Sequence, residues 1–148
     1  MAWIRDFIVE RWHADFVVNH RAVMRPAELP ALLARLEGER VGLLTYNVDG
    51  AAMEVVTLDS IREGVGVGGA LMDAAEAEAR RQGLQRFWLV TTNDNLRALG
   101  FYQRRGMRLC ALRAGIYDEV RAKVKPSIPE IGDNGIPLRD ELELELKL

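Results

Sequence analysis

The sequence predicts an α/β fold: a mixed, mostly antiparallel sheet flanked by helices, built as one layered domain over residues 1–148. Three observations carry this. Asp49-Gly50 lies between two apolar runs and marks a tight hairpin. Helical and β-like segments then alternate between residues 70 and 112. The chain closes on Glu141-Leu142-Glu143-Leu144-Glu145-Leu146-Lys147-Leu148, a strict two-residue alternation.

Residues 2–12 set Trp3, Ile4, Phe7, Ile8 and Trp12 at helical spacing, with Arg5, Asp6 and Glu10 between them, which predicts a short amphipathic helix. Phe16-Val17-Val18 is a short β-like run, and Pro26 and Pro30 punctuate a connector. Three strands of an antiparallel meander follow: Ala31–Leu36, Val41 to about Val48, and Ala52–Leu58. Residues 59–69 form a glycine-rich loop. Ala70–Gln82 is an alanine-rich helix, with Glu76, Glu78, Arg80 and Arg81 on its wet side and Gly83 as its C-cap. Arg86–Thr92 reads as a buried strand. Asn93-Asp94-Asn95 supplies the N-cap of a helix that ends at Arg105 before Gly106. Met107–Leu112 is a further strand, and residues 114–125 are helical. Residues 126–139 hold three prolines and two glycines and form an extended loop. The terminal alternation puts four leucines on one face of a half-exposed strand. Its glutamates are then a solvated face or, alternatively, an acidic rim that attracts a cationic amine. The same strand offers a route to a homodimer.

Composition narrows the function. A chain of 148 residues buries about 70% of its unfolded surface and builds its own core. Twenty basic against 22 acidic residues leave a net charge of -2, which disfavours nucleic acid as a partner. No apolar run approaches the roughly 20 residues that span a bilayer, and Met-Ala-Trp-Ile-Arg-Asp does not resemble a secretion signal. Cys110 is the only cysteine, and His13 and His20 are the only histidines, so no structural metal is expected. A cytoplasmic location, away from membranes, is the expectation.

The chemistry concentrates in Gly64-Val65-Gly66-Val67-Gly68-Gly69, between a strand and a helix. Four glycines in six positions let an anion approach the backbone amides, and the helix start adds partial positive charge. That arrangement suits a pyrophosphate. The alternative is a tight turn that packs the helix on the sheet. Gly64, Gly66 and Gly69 also satisfy G-x-G-x-x-G, and Asp94 lies 25 residues beyond Gly69, where a ribose-binding acid would sit in a dinucleotide fold. Against that reading, Asp59-Ser60-Ile61-Arg62-Glu63 separates strand from glycines, and the strand belongs to a hairpin meander. Too little chain remains for a complete dinucleotide fold.

A second segment decides between these. Asn95-Leu96-Arg97-Ala98-Leu99-Gly100-Phe101-Tyr102-Gln103-Arg104-Arg105-Gly106-Met107 reads N-x-x-A-x-x-F-Y-x-x-x-G-M. Together with the glycine loop it resembles the GNAT superfamily of acyl-CoA-dependent N-acyltransferases. The loop matches that family's Q/R-x-x-G-x-G/A signature from Gly66 through Gly68, and the resemblance covers roughly residues 39–112. Three departures stand out. Glu63 occupies the position of the family's Gln or Arg, the loop before the glycines is about two residues short, and a first strand before the first helix is absent or displaced.

The resemblance implies direct attack of an amine on the thioester of acetyl-CoA, with no metal. It implies Glu54 as general base, directly or through a water, and Tyr102 as the acid near the sulfur. The backbone of Val56, Thr57 and Leu58 would hold the carbonyl oxygen and the pantetheine. Residues 63–69 (Glu63, Gly64, Val65, Gly66, Val67, Gly68 and Gly69) would carry the pyrophosphate, with Glu63 turned away from it. Asn95 would cap its helix or bond the pantetheine, and Ala98 and Phe101 would line the groove. Regular alternation groups Glu54 with Val56 and Leu58 on one face. A nucleophilic role for His13, His20 or Cys110 is disfavoured, since Cys110 lies in an apolar strand. Trp12, His13 and Asp15 are candidates for the acceptor site. The acceptor is a small-molecule or protein amine, and a non-catalytic acyl-CoA-binding module is the runner-up.

Overall fold

Among residues 2–148, which the computed structural model describes, the chain runs α1 (Ala2–Trp12), β1 (Val17–Asn19), β2 (Ala22–Met24), a 3-10 turn at Pro26–Glu28, β3 (Ala31–Leu36), β4 (Glu39–Asp49) and β5 (Ala52–Ser60). It continues with α2 (Val67–Arg81), β6 (Arg86–Thr92), α3 (Leu96–Arg104), β7 (Arg108–Arg113), α4 (Ile116–Lys123) and β8 (Glu141–Lys147). The main sheet has the order β3-β4-β5-β6-β8-β7, and β1 and β2 form a separate hairpin. Every neighbouring pair in the main sheet is antiparallel except β5 and β6. No helix among the described residues is long and apolar enough to cross a membrane.

Helices cover both faces of the sheet. Ile4 and Ile8 of α1 pack against Leu43 on one face. Val67, Leu71, Met72, Ala75 and Ala79 of α2 pack against Leu44, Tyr46, Met53 and Val55 on the other. Each fully buried Val, Leu or Met side chain here contributes roughly 1.5–3 kcal/mol. A third cluster joins α4 (Ile116, Tyr117, Val120) to Val18 and Leu138.

Four local features differ from the sequence reading. Helix α2 starts at Val67, three residues before Ala70, because Gly66 takes a left-handed φ of 78° and turns the chain directly into the helix. Asp59 and Ser60 belong to β5, not to the loop. Residues 17–24 fold into a hairpin whose turn residues, His20 (φ 42°) and Arg21 (φ 66°), are both left-handed. That turn lacks the usual Asn-Gly signature, which hid it.

The fourth difference is the terminal strand. β8 lies between β6 and β7, paired on both edges, so neither edge is open to a second subunit. Glu141 and Glu143 are buried, not a solvated face or an acidic rim. Arg113 reaches both, and Arg86 pairs with Glu143 (2.6 Å) and Glu145 (2.7 Å), so this row of carboxylates is neutralised inside the sheet.

Candidate active site

β5 and β6 pair only from Ala52–Arg86 to Val55–Leu89. Beyond that point the strands diverge, and a cleft of about 330 Å³ opens between them. It is lined on one side by Val56, Thr57 and Leu58 and on the other by Val90, Thr91 and Thr92. Past Val55 the β6-facing edge of β5 has no partner strand, so main-chain donors and acceptors point into the cleft.

A β-bulge adjusts which side chains face the cleft and the hairpin. Thr45 pairs with Thr57 and Tyr46 with Val55, so Val56 is an extra residue with no counterpart on β4. The bulge inverts the alternation. Val55 and Leu58 both pack toward the α2 side. Thr57 bonds Thr45 (2.6 Å), and Asp59 is held by Trp12 and Arg11 of α1, on the opposite face. Glu54 therefore shares its face with Thr57 and Asp59, not with Leu58.

Glu54 is 3% exposed and lies beneath the β1–β2 hairpin. His20 Nε2 sits 3.0 and 3.1 Å from its two carboxylate oxygens, and Asn19 Nδ2 sits 3.4 Å away. Glu54 does not itself line the cleft, whereas Asn19 does. The hydrogen bond to Glu54 raises the His20 pKa above its ordinary value, although burial opposes this. The His20 backbone N–H donates to Glu141 (2.9 and 3.1 Å). Glu141 also accepts from Tyr117 (3.2 Å) and Arg113 (2.8 Å). A left-handed φ at a non-glycine residue costs about 1–2 kcal/mol. The bonds made by His20 offset that cost and aim its ring at Glu54. The residue type alone carried no signal for this pairing, because the partners are far apart in the chain.

Tyr102, on α3, lines the opposite side of the cleft. Burial pushes its phenol up to about 12, with the Asp59 carboxylate adding to the effect. Its proton is therefore retained, and the group is an O–H donor throughout the neutral range. Asn95 caps α3 by accepting from the Ala98 N–H (3.2 Å), and it lines the cleft as well. Phe101 packs edge-on against Tyr102 and lies beneath Gly68, whose missing Cβ would stand 3.7 Å from its ring.

The glycine loop meets the first turn of α2. The Ala70 N–H is the first to reach back, to Gly66 O (3.0 Å), so the amides of Val67, Gly68 and Gly69 have no intrahelical partner. Side chains added at Gly64 or Gly66 would meet nothing within 4 Å, so the loop before these amides is open. Arg105 lies beside Gly69. Glu63 is exposed and pairs with Arg97 (2.8 Å), which partly compensates its charge. Arg105 is itself paired with Asp73, so the anion-binding capacity here lies in the free amides, which fit a pyrophosphate.

The remaining candidates separate. Asp94 is buried and accepts from the Asp133 N–H (2.8 Å), tying the long loop to α3, so it is not a free ribose ligand. Cys110 is exposed at a bulge in β7 and not buried in it; partial desolvation and the Glu143 carboxylate push its thiol upward. Trp12 and His13 line the cleft, whereas Asp15 pairs with Arg5 and Arg25.

A family model described as the acetyltransferase (GNAT) family matches residues 2–107. Two Bacillus subtilis (strain 168) relatives align over nearly the whole chain. The uncharacterized protein YxbD is 45% identical over 146 residues, 98% of this chain and 91% of its own. The uncharacterized protein YdhI is 38% identical over 140 residues, 94% of this chain and 87% of its own. Among solved structures, a Bacillus subtilis acetyltransferase in complex with CoA superposes with a TM-score of 0.72 at 21% identity, covering 96% of this chain and 83% of that one. An Elizabethkingia anophelis GNAT family acetyltransferase with acetyl-CoA bound gives 0.70 at 21% identity, covering 80% and 75%.

Proposed function

Since the chain belongs to the acetyltransferase (GNAT) family, we propose that it transfers the acetyl group of acetyl-CoA directly to an amine. The observation that carries this is the cleft between β5 and β6, with the free amides of α2 at the cofactor side and Tyr102 inside it. The pantetheine would lie along the unpaired edge of β5, bonded by the backbone of Val56–Leu58 and by Asn95. The diphosphate would sit on the amides of Gly64–Gly69, with Ala98 and Phe101 walling the groove.

The protons must balance. An ammonium loses two protons as the N–C bond forms and the C–S bond breaks; one ends on the thiol and the other in solvent. The Glu54–His20 pair takes the outgoing proton through water, since Asn19, not Glu54, reaches the cleft. The backbone at the Val56 bulge stabilises the oxyanion. Tyr102 donates a hydrogen bond to the departing sulfur. Burial holds the Tyr102 proton in place, so the departing thiolate takes up one of the two released protons from solvent water while Tyr102 stabilises it through the hydrogen bond.

The test is calorimetry with acetyl-CoA, followed by thiol release across an amine panel with mass spectrometry of the products. The proposal expects acetyl-CoA binding and an N-acetylated product in step with thiol release. Binding without release from any amine would leave a binding module, and failure to bind acetyl-CoA would overturn the reading altogether.

A further inference from the structure

The lining of the cleft has one sign of charge. Arg11 and Lys125 contribute to it, and among the described residues no aspartate or glutamate does. The Arg11 guanidinium is already held by Asp59 (3.5 Å). Lys125 is different. It is only 7% exposed, and no carboxylate among the described residues lies within ion-pairing distance of it. Its ammonium donates one hydrogen bond, to Phe16 O (3.0 Å), and stands 5.1 Å from the centre of the Phe16 ring. Two N–H donors remain. Burial draws its pKa down from the ordinary lysine value, with no acidic group acting against this.

A buried cation with a single neutral partner is unfavourable unless something else compensates it. Packing alone would be served by methionine at this position. The acetyl-pantetheine portion of the cofactor is uncharged, and its diphosphate belongs at the far side, on α2. Lys125 follows α4, in the loop that closes the opposite wall of the cleft with Ser127 and Ile128, facing Val17 and Val18 of the hairpin. That is the side left to the acceptor.

We infer that Lys125 is the anchor for a carboxylate on the acceptor, so that the amine acetylated here belongs to the amino-acid class, with an apolar body. This rests on the acetyltransfer reading above. A carboxylate fits better than a phosphate, because one ammonium in an apolar wall balances a single charge. Val17, Val18, Ile128 and Leu138 would take the apolar body of the acceptor. The amine would then lie toward the Asn19 side of the cleft, nearest the Glu54–His20 pair. Lys125 is a specificity residue here and takes no part in proton transfer.

The experiment uses the full chain saturated with CoA. Calorimetry compares N-acetyl-L-leucine with N-acetyl-L-leucinamide, and N-acetyl-L-phenylalanine with its amide. At least one acid should bind about 10-fold or more tightly than its amide, a margin of about 1.4 kcal/mol. Lys125→Met should erase that margin while CoA affinity stays unchanged, and Lys125→Arg should keep most of it. A second readout needs no variant. The chain has only three lysines, Lys123, Lys125 and Lys147, so a lysine-labelled sample resolves each side chain by NMR. The acid should move the Lys125 signal and leave the other two in place.

Equal binding of acid and amide, no binding of either, or an unmoved Lys125 signal would overturn the inference. So would a margin that survives Lys125→Met. The two readings fail separately. Thiol release to uncharged amines, with no acid margin, would leave acetyltransfer standing without the anchor. An acid margin without thiol release would leave the anchor without the reaction.

Discussion

Glu141 offers the sharpest test of how the site is held together. It is 0% exposed, yet three donors converge on its carboxylate: the His20 N–H at 2.9 Å, Arg113 at 2.8 Å and the Tyr117 hydroxyl at 3.2 Å. Glu141→Gln preserves the shape but exchanges one acceptor oxygen for a donor NH2. One of the three donors then faces another donor, and Arg113 loses a buried counter-charge. Removing one partner of a buried pair costs about 3–5 kcal/mol. Arg113 keeps Glu143 and is partly solvated, which places the expectation at the lower end, about 3 kcal/mol. For a chain of this size that corresponds to a fall in Tm of roughly 6–12 °C. Urea unfolding followed by circular dichroism, together with calorimetric Tm, measures it. A loss below about 1 kcal/mol would mean the three bonds contribute no more than a single exposed one, and would refute the account of Glu141 as the anchor of the hairpin.

Three further outcomes follow. Tyr102→Phe should lower kcat for thiol release by about 10²-fold while acetyl-CoA affinity stays within a factor of about 2; unchanged turnover would remove the hydroxyl from the reaction. The His20 pKa is raised in the folded state, so its contribution to stability is present below the unfolded value near 6.5 and is lost as pH rises through the folded value. Urea midpoints measured from pH 6 upward should fall across that window and lose this component in His20→Gln; identical pH dependence in the variant would contradict it. A Cβ at Gly42 would run into Val67 Cγ1 and stand 3.0 Å from Leu71 Cδ1 and 3.1 Å from Asp59 O. Gly42→Ala should therefore cost about 1–3 kcal/mol in urea unfolding and, by shifting the first turn of α2, weaken acetyl-CoA binding.

The main elements were legible wherever a local signal governs them. Asp49-Gly50 placed the β4–β5 hairpin because Gly50 supplies the positive φ (59°) of the turn, although Asp49 itself is the last residue of β4, paired with Ala52. The alanines of α2 and the Asn95 cap of α3 likewise act within a turn or two of the chain. The glycine loop and the N-x-x-A-x-x-F-Y segment lie on adjacent helices, so the cofactor side of the site could be read from linear order. The His20-Arg21 turn could not, since its left-handed geometry is held by Glu54 and Glu141, 34 and 121 residues away. The alternation along β5 gave the wrong face for Leu58, because a bulge is a property of two paired strands and Val56 carries no mark of it.

The terminal strand shows the same division. Its two-residue alternation determined that it would be a strand with leucines on one face and acids on the other. Only the tertiary structure placed it between β6 and β7 and turned its glutamates from a wet face into a buried row matched by Arg86 and Arg113. Composition likewise determined a nearly neutral chain, but the distribution of that charge was decided by folding. The acids of β8 are neutralised within the sheet, and Lys125 is left in the cleft with no carboxylate partner among the described residues. Periodicity is a local property and survives in one dimension, whereas the pairing of charges depends on distances that exist only once the chain has closed on itself.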